Sequence, residues 1–469
     1  MRIAIPPDHL VTLTPGASAV HHIELQIAEK VLSGQLPVGA SLPATRALAA
    51  ALGVSSFTVM DAYQRLSARG LIEGRKKAAY TVCARHTAPK PLGDTVAQRI
   101  KDYAWLLQEA PRTRLGHSEM SGSNLPRDWE DHRIAQRALR AVASMGESVL
   151  HAPVEALGYQ PLREVLQTRL QALGLRCQRD EILVTGGATA AVGLLAALLV
   201  HPGDTVLVDD PGFFALHGLL HLRGAKVIGV PRTPAGPDLA QLAALIERHQ
   251  PRLFIVQSVL HSPTGSSIRP DVALALLTLA QNSQLRLIEC DFYADLACSR
   301  HLRLAELATL ASVIYVGACA KTVTGTARIG YIACPAELSA SIGKLKLLYG
   351  SANPPIHERV AYRALTDPHC ARHISRLSGQ LRDVRVQAQL QLVEAGFVIF
   401  DTAAQGKYLW AMHPAFSDSA DLAEQLEKHQ ISLAPGRIFR PDGLPTAWFR
   451  VNVSACVGSL VKSSARLTA

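Results

Sequence analysis

Apolar residues recur every three or four positions in the first part of the chain and fall into short unbroken runs further on. In "HHIELQIAEKVLS" (21–33), Ile23, Ile27 and Val31 share one helical face, and Gly34 follows as a stop. "PATRALAAALG" sets Leu48 and Leu52 on one stripe before Gly53; "VSSFTVMDAYQRLSARG" opens with a serine cap and turns Val59, Tyr63 and Leu66 inward before Gly70. Two short helices joined at Gly53 and Val54 predict a helix-turn-helix. "LIEGRKKAAYTVCAR" then reads as two strand-like runs around three cations, Arg75, Lys76 and Lys77, the pattern of a basic wing.

From His86 to about Pro126, prolines and the polar "SEMSGSNLP" predict a linker; within it, Val96, Ile100, Tyr103 and Leu107 share a stripe and predict a helix. Beyond it, the runs "EILVT", "TVLVD", "KVIGV", "LFIVQS", "LRLIEC" and "SVIYVG" alternate with helical stretches, which predicts an α/β domain built on a parallel-rich sheet. After about residue 355 the pattern changes to charged helix and the short strands "FVIF", "YLWAM" and "WFRVNV", a smaller α+β lobe. The expected organisation is a DNA reader over 15–85, a partly helical linker over 86–126 and an α/β domain over 127–469, with a large lobe at about 150–350 and a small lobe at about 355–469.

At 469 residues the chain has room for two or three folding units. Lys and Arg number 48 against 38 Asp and Glu, a net +10, which favours polyanionic partners. Residues 1–85 hold nine Lys and Arg against five Asp and Glu, a net of +4. Pro6, Pro7 and Asp8 interrupt the apolar core a signal peptide needs, and the longest apolar stretch, 190–200, is shorter than the roughly 18 residues of a membrane span. The eight cysteines, at 83, 177, 290, 298, 319, 334, 370 and 456, have neither CxxC pairing nor metal-ligand spacing, as in a cytoplasmic protein with reduced thiols and no metal site.

Candidate chemistry gathers just past the strands, where such sheets hold ligands. "TGGATAAVGLL" runs from a strand into a helix whose first N–H groups, at Gly187, Ala188 and Thr189, suit a phosphate. "DDPGFF" puts Phe213, "HSPTG" puts Ser262, and "ECDFYADL" puts acids and Tyr293 beyond successive strands. In "GACAKTVTGTARIGY", Lys321 is an amine inside an apolar wall, where burial lowers its pKa and frees it to react with an aldehyde. Taken singly, each has a plainer explanation: a tight turn, a core aromatic, a snorkelling lysine.

"GASLPATRALAAALGVSSFTVMDAYQRLSARGLIE" closely resembles the winged helix-turn-helix of GntR-type regulators. The resemblance implies that the second helix of the pair enters the major groove, with Arg46, Ser55, Ser56 and Thr58 at phosphate and base contacts and Arg75, Lys76 and Lys77 in the wing. Ser56 stands where that family usually has arginine, and Lys76 to Ala79 stand where it has a glycine-bearing wing tip. Farther on, "GYQPLR", "GDTVLVDDPGF", "HSPTG", "ECDFYADL", "AKTVTGTARIGY" and "FRVNVS" resemble, in order, the fold-type I aminotransferase domain, so the whole chain resembles a MocR-type regulator.

That resemblance implies pyridoxal 5'-phosphate as cofactor, Lys321 as its Schiff-base lysine, and Arg328 on its phosphate with Gly187 and Ala188. Phe213 would stack on the ring, Tyr293 would bond its hydroxyl, Ser262 would be a further cofactor contact, and Arg450 would hold the carboxylate of an effector. An aspartate normally pairs with the ring nitrogen; Cys290 and Asp291 both compete for that place. Ser262 replaces an asparagine, Gly186, Ala318 and Ala320 replace hydroxyl residues, Pro153 a tyrosine and Thr326 a glycine, losses that point to a sensor more than to a working transaminase. The implied protein is a homodimeric regulator that binds an operator in double-stranded DNA and responds to an amino acid, an amine or the vitamin B6 cofactor. The alternatives are a transaminase with a vestigial N-terminal module and a DNA-binding protein with a cofactor-free scaffold.

Overall fold

The computed structural model describes residues 10–12, 19–32, 35–68, 71–74, 80–83, 118–122, 124–319, 328–455 and 460–461. The chain divides into two compact units, Met1–Asp94 and Thr95–Ala469.

In the first unit, α1 (Ala19–Leu32), α2 (Thr45–Leu52) and α3 (Ser56–Ala68) precede an antiparallel pair, β1 (Ile72–Gly74) and β2 (Tyr80–Val82). Ile23, Ile27, Leu48, Val59, Tyr63 and Leu66 form one core with Leu10, Ile72 and Val82, as the helical spacing predicts. Gly53 ends α2 in the left-handed region at φ 65°, where its N–H reaches the carbonyls of Ala49 and Ala50; a side chain would resist that conformation. The Tyr63 hydroxyl donates to the Pro43 carbonyl at 3.0 Å, and its ring meets Tyr80 edge-on at 5.0 Å, which ties α3 to the wing strand. The wing cations Arg75, Lys76 and Lys77 lie outside the described residues.

The second unit is built on an eight-stranded sheet in the order β4-β11-β10-β9-β8-β5-β6-β7. Its strands are β4 (Ile182–Thr185), β5 (Thr205–Asp210), β6 (Lys226–Thr233), β7 (Gly236–Pro237), β8 (Leu253–Gln257), β9 (Arg286–Asp291), β10 (Val313–Ala318) and β11 (Gly330–Ala333). The pairs β5/β6, β5/β8, β8/β9 and β9/β10 are parallel, and β11 runs antiparallel between β10 and β4. The six expected runs are all strands; in β4, β5, β8, β9 and β10 the unbroken apolarity follows from burial on both faces, one against each of two core clusters, while β6 is mostly half-buried. β11 was not legible: four residues around Gly330 carry too little periodicity. A Cβ at Gly330 would strike the backbone of Gly187 and Ala188, so glycine lets this strand lie against the turn after β4.

The small lobe carries a second sheet, β12 (Val398–Ile399), β13 (Tyr408–Met412), β16 (Trp448–Asn452) and β15 (Ala434–Pro435), behind the long helix Cys370–Glu394. A further strand, β14 (Ile431–Ser432), pairs in parallel with β3 (Ser118–Glu119). The predicted linker therefore ends earlier than its polar composition suggested. Met120 is fully buried in the core, the Ser121 N–H donates to the Ser432 carbonyl at 2.9 Å, and the Asn452 N–H donates to the Met120 carbonyl at 3.1 Å. The helix expected around Tyr103 lies outside the described residues.

If Met120 belongs to this core, Met120→Ala should cost about 2–4 kcal/mol, the usual range for a buried methionine. Tryptophan fluorescence during urea unfolding reads it, because all four tryptophans, 105, 129, 410 and 448, lie in the second unit. An unchanged midpoint would make 118–122 a passive linker.

Candidate functional site

The turn from β4 into the helix Ala188–Leu199 is shaped for an anion. Gly187 is the residue before the helix, at φ 105°, and no side chain caps the first turn. Uncapped N–H groups and the positive end of the helix dipole face outward there. Thr185 Oγ1 donates to the Gly187 carbonyl at 3.1 Å, and a Cβ on Gly187 would sit 3.8 Å from the Arg328 carbonyl. The structure thus brings Gly187, Ala188 and the backbone of Arg328 together. The Arg328 side chain is exposed and its backbone has φ 47°; Lys321, Ala320 and Thr326 lie outside the described residues.

Phe213, Tyr293 and Ser262 stand past β5, β9 and β8. Phe213 is half-buried, with its ring 5.0 Å from Phe292 and 5.2 Å from Phe214. Tyr293 is buried; its hydroxyl lies 3.4 Å from that of Tyr408, and the Lys407 ammonium sits over both rings at 4.8 and 5.0 Å. Burial, together with Tyr408, pushes the Tyr293 phenol well above its ordinary value, so it is a neutral hydroxyl. Ser262 receives support through its backbone, whose N–H donates to Gln257 Oε1 at 3.0 Å, while its Oγ is buried without a partner.

Strand alternation puts Cys290 and Asp291 on opposite faces of the sheet. Cys290 lies in the same cluster as Phe292, Tyr293 and the packed Phe213. Asp291 points through the opposite face, where one carboxylate oxygen accepts from Arg303 Nε at 2.7 Å and from the Tyr315 hydroxyl at 2.9 Å. Its other oxygen is buried without a partner. Both residues were open candidates for one place; the structure puts Cys290 with the cluster that includes Phe213 and turns Asp291 away from it, because neighbouring residues on a strand face opposite ways. Burial, and then the carboxylates of Asp209, Glu289 and Asp291, hold the Cys290 thiol far above its usual range and keep it protonated.

Arg450, expected at an effector carboxylate, is buried between aromatic rings, with its guanidinium carbon 4.4 Å from Tyr408 and 4.7 Å from Phe439. One of its nitrogens donates to the Ser121 carbonyl at 2.5 Å, and Nε has no partner. The two expected ligand clusters thus meet through Tyr408, which touches both Tyr293 and Arg450. Sequence reasoning missed Phe292, Tyr408 and Arg303, since only packing across strands distant in the chain shows their partners.

It also missed a buried network under the "HSPTG" turn. Asp209 accepts from Arg232 at 3.0 Å and from the Gln257 N–H at 2.8 Å, and His261 Nε2 lies 3.5 Å away. Burial alone would raise the Asp209 carboxyl; Arg232, His261 and Gln257 together hold it below its ordinary value. Burial, with Arg232 beside it, pushes the His261 imidazole down to about 4.

Of the predicted DNA contacts, Arg46 is exposed in the first turn of α2 and Ser56 is exposed at the start of α3. Ser55 caps that helix: its Oγ accepts from the Thr58 N–H at 3.0 Å and shares a bond with the Thr58 hydroxyl at 2.8 Å.

A winged helix-turn-helix and a fold-type I aminotransferase-like body, with a glycine turn at its phosphate end, define a two-part regulator. The chain belongs to the class I and II aminotransferase family, which its residues 122–460 match, and carries at 19–82 the DNA-binding domain of the gntR family of bacterial regulatory proteins. This is the MocR-type arrangement. TauR, an HTH-type transcriptional regulator of Rhodobacter capsulatus, is 28% identical over 93% of each chain. The probable rhizopine catabolism regulatory protein MocR of Rhizobium meliloti is 26% identical, over 70% of this chain and 68% of its own. Among solved structures, LysN from Thermus thermophilus, an alpha-aminoadipate aminotransferase complexed with N-(5'-phosphopyridoxyl)-L-leucine, superposes with a TM-score of 0.71 at 20% identity, covering 80% of this chain and 97% of its own. The homologues sharing this fold are pyridoxal-phosphate-dependent, and one solved neighbour, the Pyrococcus horikoshii kynurenine aminotransferase, holds the aminated form of that cofactor. Here the uncapped start of the helix Ala188–Leu199 fits the phosphate of such a group, and Ser262 Oγ is a buried hydroxyl without a partner.

His261 gives a test of the network. Its folded-state pKa, about 4, lies below its ordinary 6.5, so between these values the unfolded chain takes up a proton that the folded chain refuses. Stability should fall as pH drops from 6.5 to 4, by about 3 kcal/mol for this group. Glu289, which burial pushes up to about 7, has the opposite slope between 4.5 and 7. The measurement is therefore the difference between wild type and His261→Gln in urea unfolding at pH 7 and pH 4.5; parallel pH profiles would refute the assignment.

Proposed function

We propose that this protein is a DNA-binding transcriptional regulator whose aminotransferase-like domain binds pyridoxal 5'-phosphate and senses an amino acid, an amine or the cofactor itself. The observation that carries the reading is a protonated thiol, Cys290, on the face shared by Phe213 and Tyr293, in a chain that also bears a winged helix. A carboxylate against the ring nitrogen would keep it protonated and make the ring an electron acceptor; a neutral thiol does neither. Pyridoxal phosphate supplies an aldehyde that reacts reversibly with amines, and that reaction needs no carboxylate. Binding without efficient turnover is the behaviour of a sensor.

In this reading Gly187, Ala188 and Arg328 hold the phosphate, Phe213 lies on the ring, Ser262 and Tyr293 meet its hydroxyl, and Lys321 supplies the amine. Arg450 receives the effector's carboxylate once its contact with Ser121 is exchanged. Effector binding shifts the population between arrangements of paired winged helices on two DNA half-sites, which favours a homodimer in the cytoplasm. Arg46, Ser55, Ser56, Thr58 and the wing cations Arg75, Lys76 and Lys77 contact the DNA, Ser55 also by holding the start of α3.

Two measurements test this. Purified protein should retain DNA from upstream of its own gene, with affinity falling as salt rises. With added pyridoxal phosphate it should develop a near-visible absorption band that Lys321→Ala lacks, while amino-acid turnover with a keto-acid acceptor stays near background. Rapid turnover lost in Lys321→Ala would make the protein an enzyme, and failure to retain any DNA at moderate salt would end the regulator reading.

A further inference from the structure

The spacing of α3 turns Val59, Ala62, Tyr63 and Leu66 into the core and leaves Phe57, Asp61 and Gln64 on the opposite face, with Met60 at its edge. Phe57 is 72% exposed, a large aromatic ring in solvent within the first turn of the helix. A folded unit gains nothing by leaving it there. It adjoins the hydroxyls of Ser55 and Ser56, and in helix-turn-helix proteins the N-terminal residues of the second helix are those that reach base edges.

We propose that Phe57 is a specificity-determining residue: its ring covers the C5 methyl of a thymine in the major groove, so that α3 selects A·T pairs. This rests on the DNA-binding reading above and extends it to the sequence preferred. Among base-pair features in the major groove, the thymine methyl is the one an apolar side chain reads. Gln64, two turns along the same face, has the paired donor and acceptor that match adenine N6 and N7. Among the described residues of α3, no unpaired arginine or lysine stands on this face. Arg65 is the one arginine in α3, and it is forked onto Asp61 at 3.3 and 3.1 Å. Ser56, next to Phe57, has no reach to guanine comparable to an arginine's. The occupant is DNA because the ring sits among short hydroxyl side chains in a domain of net charge +4, with Arg46 exposed on the preceding helix.

The test uses the full-length protein. Duplexes that bind it are selected from a random pool, and each thymine of the selected half-site is then replaced by deoxyuridine, which lacks only the methyl. Wild type should lose about fourfold in affinity at one or two thymines per half-site, the worth of one buried methyl-sized group. Phe57→Ala should bind thymine and deoxyuridine duplexes equally while keeping its salt-dependent affinity for random DNA. Because Phe57 is exposed, the variant should fold as wild type does, and an unchanged circular dichroism melt checks this. Retained DNA binding with no discrimination between thymine and deoxyuridine, or discrimination that survives Phe57→Ala, overturns the assignment alone. Loss of all DNA binding by wild type overturns the regulator reading and this one with it.

Discussion

A strand buried on both faces sends each side chain to the face opposite its neighbour's, and in β9 this separates Cys290 from Asp291. Asp291 cannot reach the face of Phe213 without a one-residue slip, and a slip would move Glu289 as well. Both acids are anchored: Asp291 by Arg303 and Tyr315, Glu289 by the N–H groups of Leu304 and Ala305 at 2.8 and 2.7 Å. Those bonds offset part of the cost of burying the two acids. The register of the central strand and the chemistry of the neighbouring face are therefore one constraint.

From that constraint the character of the domain follows. The glycine turn after β4, close-packed against β11, leads into an uncapped helix, while the face of β9 that carries Cys290 holds a buried thiol and an aromatic pair, Phe213 and Phe292. In the proposed reading, such a site favours reversible capture over carbanion chemistry. Helix α3 departs from its family in parallel, with Ser56 where an arginine is usual. One departure, Cys290, is buried in the core of the second unit; the other, Ser56, is exposed on α3.

Much of this organisation was legible in the chain. The helical stripes of α1 to α3 and the six apolar runs carry their own periodicity, so their elements and the parallel-rich sheet could be expected from local pattern. The linker boundary failed at Met120, where a polar segment hides one core residue and a backbone ladder to β14. β11 failed for a similar reason: its pairing partners, β10 and β4, supply nearly all that makes four residues a strand.

By itself the sequence determined which residue types stand past each strand, how many cations the N-terminal unit holds, and that Lys321 and Arg328 punctuate an apolar segment. These depend only on order and spacing along the chain. Tertiary structure alone decided which face of β9 meets Phe213, and that Tyr408 joins Tyr293 to Arg450. Each of these turns on which distant elements pack together, and long-range packing is a property of the folded chain that no local period encodes.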